Sequence, residues 1–224
     1  MIITIFEDNN NSNLYPLNIN RASFELRCGA FTNLERINNQ LSPNDTIHLI
    51  VRSDIEPIIK EKYPYMIVNP DIVSNGLWLN GRSIWDKKIN KIINSGKIYK
   101  KNDIIVALDS QIDVPFTDFY SHLDRISSIP VEIDIQIFNN IWDGIFIQSK
   151  ILIKDSIHFM KNSEGVIHPT VSIENGDNIF IGSTSEVRAG SVLDASKGPI
   201  IIDNNSIVDI GSLVQGPIYI GERC

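Results

Sequence analysis

Along the first half of the chain, apolar residues come as short runs separated by polar stretches, whereas from about Gly165 onward they recur at every sixth position. In the first regime, residues 1–6, 46–51, 65–68, 77–79 and 104–108 are aliphatic runs of strand length. Residues 32–41 carry Leu34, Ile37 and Leu41 at helical spacing, and residues 55–63 and 85–95 predict two further helices. Strands alternating with helices at this spacing predict an α/β unit built on a mostly parallel, doubly wound sheet. The pattern weakens between residues 109 and 163. There, residues 115–123 read as helix or loop, residues 131–138 alternate apolar and polar like a half-exposed strand, and residues 145–153 read as the start of a linking helix.

In the second regime the aliphatic leaders are Ile167 and Ile173, then Ile181, Val187 and Leu193, then Ile202, Val208, Val214 and Ile220. A period of six without a helical component predicts short strands that turn corners, so that every sixth side chain faces one interior line: a parallel β-helix of hexapeptide repeats. An ordinary β-sandwich would instead show period two with turns about 8–12 residues apart. Ser185, Ser191, Ser206 and Ser212 stand four places after a leader, where a tight corner leaves little room, and Gly182, Gly190, Gly211 and Gly221 admit backbone conformations costly to other residues. The spacing lengthens between Ile173 and Ile181 and between Leu193 and Ile202, which predicts bulges at corners. The repeat reaches Cys224 without a capping segment, so further coils are expected beyond it. The expected domains are residues 1–155 and 156–224.

Composition narrows the partners. The 224-residue chain has a net charge of -7 and no block of Lys and Arg, which argues against binding driven by nucleic-acid phosphates. Residues 1–8 form a short apolar run with no basic residue before it, neither a signal peptide nor a membrane span. Two cysteines, Cys28 and Cys224, build neither a disulfide framework nor a metal site, and the cytoplasm is the expected compartment.

In open α/β sheets, ligands bind outside the carboxyl ends of the strands. That rule selects the loop of residues 7–29 after the first strand and the loop that begins Asn80-Gly81-Arg82. In the first loop Arg21 and Arg27 stand six apart, followed by Gly29 and a helix starting near Thr32. Guanidinium forks grip phosphate bidentately and helix N-termini favour anions, so the segment can form a phosphate cradle. The competing reading pairs Arg21 or Arg27 with Glu25, Glu35 or Asp8. Neither a Walker loop nor a dinucleotide glycine fingerprint is present.

Residues 14–36 resemble the Leu-x-Pro-Leu-Thr-x-x-Arg-Pro and Leu-Arg-x-Gly-x-x-Thr-x-x-Glu-Arg stretch of the alternate-type bifunctional N-acetylglucosamine-1-phosphate uridylyltransferase and glucosamine-1-phosphate acetyltransferase family. Here that stretch runs Leu14-Tyr15-Pro16-Leu17-Asn18 to Glu35-Arg36, with Asn18 in place of Thr and Ala22 in place of Pro. Leu77-Trp78-Leu79-Asn80-Gly81-Arg82, the Ile141-Trp142-Asp143-Gly144 segment, Lys197-Gly198-Pro199 and Gln215-Gly216-Pro217 match further family motifs in the family's order. The resemblance implies a sugar nucleotidyltransferase-like domain followed by a left-handed β-helix that trimerises. It implies that Arg21 and Arg27 are catalytic, that Gly29, Asn80, Gly81 and Arg82 bind nucleotide or sugar phosphate, and that the substrates are a nucleoside triphosphate and a sugar 1-phosphate.

Mg²⁺ is the cofactor so implied, and it needs one or two placed carboxylates. The strand-end position carries the neutral Asn80, which leaves Asp8, Asp109 and Asp143 as candidates. The Trp142-Asp143 pair reads structurally, with Trp142 packing between the domains and Asp143 capping a turn. The resemblance further implies acetyl transfer from acetyl-CoA, in a longer chain, with a histidine base. His48, His122 and His158 lie outside the repeats, and His168 reads as a corner residue, so no residue is assigned to it. A sugar-nucleotide binder without turnover and a purely structural trimer are the other expectations.

Overall fold

The computed structural model describes residues 1–85, 89, 96–126, 129–159 and 163–224. The chain divides into two units, Met1–Leu26 with Thr32–Asp143, and Arg27–Phe31 with Gly144–Cys224. The division falls before residue 155, and five residues from the arginine loop belong to the second unit.

In the first unit, β1 (Ile2–Phe6), β2 (Thr46–Ile50), β3 (Ile67–Val68), β4 (Gly76–Asn80), β5 (Ile98–Lys101), β6 (Ile104–Ser110) and β7 (Val131–Glu132) form a sheet in the order β7-β5-β6-β4-β1-β2-β3. β1, β2, β3 and β4 are mutually parallel, while β6 runs antiparallel to both β4 and β5. The sheet is therefore mostly parallel, as the sequence predicts, with β6 as its antiparallel member. A two-residue turn at Asn102 and Asp103, both at positive φ, joins β5 to β6 as a hairpin and reverses the direction.

Period-two alternation sends Ile3, Ile5, Leu49, Leu77 and Leu79 to one face, under α1 (Asn33–Asn38) and α2 (Glu56–Lys62). Phe6, Ile50 and Trp78 point to the other face, under α3 (Phe119–Arg125). Helix α1 begins where expected, because Thr32 and Glu35 form a reciprocal capping box. The alternation at residues 131–138 splits into β7 and a two-residue strand, Gln136–Ile137, which pairs antiparallel with Ser83–Ile84. Of the helix expected over residues 85–95, only Trp85 and Ile89 are described, both fully buried; the remainder lies outside the described residues.

His48 in β2 is buried, and its Nδ1 has no hydrogen-bond partner among the described residues. Burial holds its pKa below the ordinary 6.5, so the unfolded chain binds the proton more readily than the folded one. The resulting stability is present above pH 6.5 and is lost as pH falls from there through the lower folded value. Urea midpoints measured between pH 8 and pH 5 are expected to fall for the native chain and to fall less for His48→Gln. Parallel curves would remove His48 from the acid sensitivity.

In the second unit the nine leaders align in three parallel ladders: Ile167, Val187 and Val208; Ile173, Leu193 and Val214; Ile181, Ile202 and Ile220. Each ladder is a three-stranded sheet, an arrangement consistent with a β-helix. Ile181, Val187, Leu193 and Ile202 are fully buried, while Ile167 and Ile173 on the first turn are partly exposed. The corner serines are small and also bonded: Ser185 Oγ donates to the Asp203 carbonyl at 2.5 Å and Ser191 Oγ to that of Asp209 at 2.9 Å. Gly190 and Gly211 take positive φ as expected. Gly182 is instead required by close approach, since a Cβ there would stand 2.5 Å from Asn204 Oδ1, and Gly221 meets neither requirement. The longer intervals are absorbed by a 3-10 turn at Gly176–Asn178 after left-handed Asn175, and by a turn at Gly198. His168 is an exposed corner residue whose Nδ1 lies 2.9 Å from Thr170 Oγ1.

Candidate active site at the strand ends

Register brings the carboxyl ends of three parallel strands side by side, Phe6 standing opposite both Ile50 and Asn80. The next residues of each strand carry charge or amide groups: Glu7 and Asp8 after β1, Arg52 after β2, and Asn80 and Arg82 at β4. They sort into two ion pairs. The Arg52 guanidinium reaches Glu7 Oε1 at 2.8 Å and Oε2 at 3.1 Å. Arg82 holds Asp8 with a fork, Nε to Oδ1 at 2.8 Å and Nη2 to Oδ2 at 2.5 Å.

The remaining valences are filled as well. Asn80 Nδ2 donates to Asp8 Oδ2 at 2.8 Å and to the Ile105 carbonyl at 3.0 Å, and Asn80 Oδ1 accepts the Arg82 amide at 2.9 Å. Arg82 Nη1 donates to the Phe138 carbonyl at 2.5 Å. Burial raises the Glu7 pKa, against the lowering effect of Arg52 and two backbone amides. Burial, with the negative charges of Glu7 and Asp8, raises the pKa of Tyr120 on α3, so its hydroxyl stays protonated beside the pair.

Arg21 lies on the loop that follows these strand ends, its side chain exposed. Among the described residues its guanidinium has no hydrogen-bond or ion-pair partner. The acids that could have held it are taken: Glu25 receives Lys62 and, at 2.9 Å, the Tyr63 hydroxyl; Glu35 caps α1; Asp8 holds Arg82. Gly81 is buried under the same loop, with a Cβ there meeting Phe24 Cβ at 3.0 Å and Ser23 Oγ at 3.2 Å. Arg21, Asn80, Gly81 and Arg82 thus share the first unit.

Arg27 and Gly29 belong to the second unit. Arg27 donates to the Ala30 carbonyl and sits over the Tyr219 ring, 5.4 Å from its centre. Gly29, at φ +74°, donates its amide to Gln148 Oε1 at 2.9 Å on α4 (Asp143–Asp155). A Cβ at Gly29 would stand 2.2 Å from Asp155 Oδ2, whose oxygen already accepts the Ala30 amide at 2.9 Å. Gly29→Ala is therefore expected to destabilise the second unit by roughly 2–4 kcal/mol, from the left-handed backbone and the overlap together. Differential scanning fluorimetry checks it, and an unchanged melting curve would show that the segment is not held in this way.

The expected Mg²⁺ does not fit the carboxylates at the strand ends. A carboxylate has about four acceptor positions. Asp8 spends its own on the Asn10 amide, Arg82 twice and Asn80, and Glu7 spends its own on the Ser23 amide, the Arg52 amide and the Arg52 guanidinium twice. Asp109 pairs in register with Leu77, at the opposite end of β4, and accepts the Gly96 amide at 2.7 Å. Asp143 caps a turn through the amides of Asn139 and Asn140 at 2.7 and 2.8 Å, with Trp142 beside it half exposed. No cluster of three or more His, Cys, Asp or Glu suited to a metal occurs among the described residues.

Glu7 and Arg52 are the members of this site that the sequence reading passed over. The available signal was position, since Glu7 is the first and Arg52 the second residue after a parallel strand. No described helix is long and apolar enough to cross a membrane.

A parallel-dominated sheet whose strand ends meet under a loop with an arginine unpaired among the described residues defines a domain suited to anionic ligands such as nucleotides. Residues 3–164 match the family model for sugar nucleotidyl transferases, and the chain belongs to that family. Comparison with curated protein sequences finds no match.

Proposed function

We propose that the protein joins a sugar 1-phosphate to a nucleoside triphosphate, of the UTP and N-acetylglucosamine 1-phosphate type. A phosphate oxygen of the sugar phosphate attacks the α-phosphorus, the bond to the β-phosphate oxygen breaks, and pyrophosphate leaves with the displaced electron pair. Such a step depends on positioning and charge neutralisation. The observation that carries the reading is the exposed Arg21 on the loop after β1, without a partner among the described residues, within a sugar nucleotidyl transferase domain. Arg21 contacts phosphate. Asn80, Gly81 and Arg82 form the rigid wall beneath it, because the Arg82 guanidinium is fully buried and spent on internal bonds. The UDP-N-acetylglucosamine assignment rests on the resemblance of residues 14–36.

For the second unit we propose a left-handed β-helix that assembles a homotrimer, with acetyl-CoA chemistry assigned to none of its residues. A second reading, a sugar-nucleotide binder without turnover, is favoured by the complete occupation of the Glu7 and Asp8 carboxylates.

Pyrophosphate release from UTP with N-acetylglucosamine 1-phosphate tests the first reading, and a pyrophosphate signal that depends on the sugar phosphate and exceeds a heat-treated control is the expected result. Thermal stabilisation by UDP-N-acetylglucosamine without pyrophosphate would replace it with the second. Absence of both effects would leave a structural role.

A further inference from the structure

We propose that Arg52 is a positioning residue for Arg21, an inference that rests on the reading of Arg21 as the phosphate contact. The backbone on both sides of Arg21 is tied to one ion pair, that of the half-buried Arg52 with the buried Glu7. Arg52 Nη2 donates to the Asn18 carbonyl and, at 3.4 Å, to the carbonyl of Arg21 itself. Its Nη1 is bound to both oxygens of Glu7, which is fully buried, and Glu7 Oε1 accepts the Ser23 amide at 2.8 Å. Glu25 adds a further anchor by accepting the Ala22 amide at 2.8 Å. The main chain at residues 18, 21 and 23 is thus held to the residues that follow β1 and β2, and residue 22 to Glu25 within the loop, while the Arg21 side chain has no partner among the described residues.

An arginine whose backbone is already fixed has less freedom to lose when it closes on an anion, and preorganisation of this kind raises affinity without adding a contact. The fork geometry is what makes Arg52 suited to the task. A guanidinium can face Glu7 with one nitrogen and the loop carbonyls with another, whereas a lysine ammonium is a single point charge that can neutralise Glu7 but cannot span both. If the pair served only to neutralise a buried carboxylate, lysine would replace it without functional loss.

Arg52→Lys, Arg21→Ala and the double variant are compared with the native chain for UTP and inorganic pyrophosphate binding by calorimetry, and for amide exchange over residues 18–23. We expect Arg52→Lys to melt within a few degrees of the native chain, to bind UTP about tenfold more weakly and to exchange its loop amides faster. In the Arg21→Ala background, Arg52→Lys should weaken binding no further. Equal weakening in both backgrounds, or unchanged binding with a protected loop, would overturn the positioning role. A native chain that binds neither UTP nor pyrophosphate would instead overturn the reading of Arg21, and the two failures are thereby distinguishable. Should Arg52→Lys fail to fold, the Glu7→Gln/Arg52→Gln double variant removes both charges of the pair together and carries the same expected coupling to Arg21.

Discussion

Arg82→Leu is expected to lower the unfolding free energy of the first unit by about 3–5 kcal/mol, the range for removing one partner of a buried ion pair. At the size of this chain that is on the order of 10 °C in melting temperature. The cause is the state in which the substitution leaves its neighbours. Asp8 loses bonds to both oxygens, which Arg82 had supplied at 2.8 and 2.5 Å, and the Phe138 carbonyl loses its 2.5 Å donor. An ionised carboxylate stranded at the edge of a core is more expensive than the same carboxylate absent. The double variant Asp8→Leu/Arg82→Leu should accordingly lose less than the two single variants would lose together. A single-variant effect under about 1 kcal/mol, measured by thermal or urea unfolding, would show that the pair does not hold the strand ends together.

Arg21→Ala is expected to behave in the opposite way: a loss of pyrophosphate release of at least about 10²-fold, as for removal of one charge-stabilising donor, with unfolding unchanged within about 0.5 kcal/mol. The exposed guanidinium has no partner among the described residues, so its deletion strands nothing in the folded chain. All of its effect should therefore fall on the charged reaction. Arg21→Lys keeps the charge but not the two-pronged geometry, and partial activity is expected of it. Normal turnover in Arg21→Ala would end the assignment of this residue, whatever its effect on stability.

How much of this could be read along the chain varies with the range of the interaction. The capping box at Thr32 and Glu35 lies within one helical turn, so the start of α1 was legible from residue types alone. The hexads were legible because identical spacing repeats one register: Ile167, Val187 and Val208 meet in one ladder without any choice of partner. The antiparallel course of β6 was less legible, because an aliphatic run such as residues 104–108 reads the same in either direction. The charged site was the least legible. Arg21 and Arg27, six apart in sequence, look like one cradle, yet Arg27 sits over Tyr219 in the second unit while Arg21 stays in the first.

The sequence by itself determined the two kinds of architecture, an α/β unit and a stack of hexad strands, together with the loops that follow β1 and β4. Those follow from local periodicity and from turn residues, which act over a few positions. Only the tertiary structure decided which cation meets which acid. Glu7, Arg52 and Arg82 come from segments far apart in the chain, and strand register places them together. The same register spent Asp8 on Arg82 and Glu7 on Arg52, left Arg21 without a partner among the described residues, and made Asp8, a metal candidate by sequence, into one of the ties that hold the strand ends.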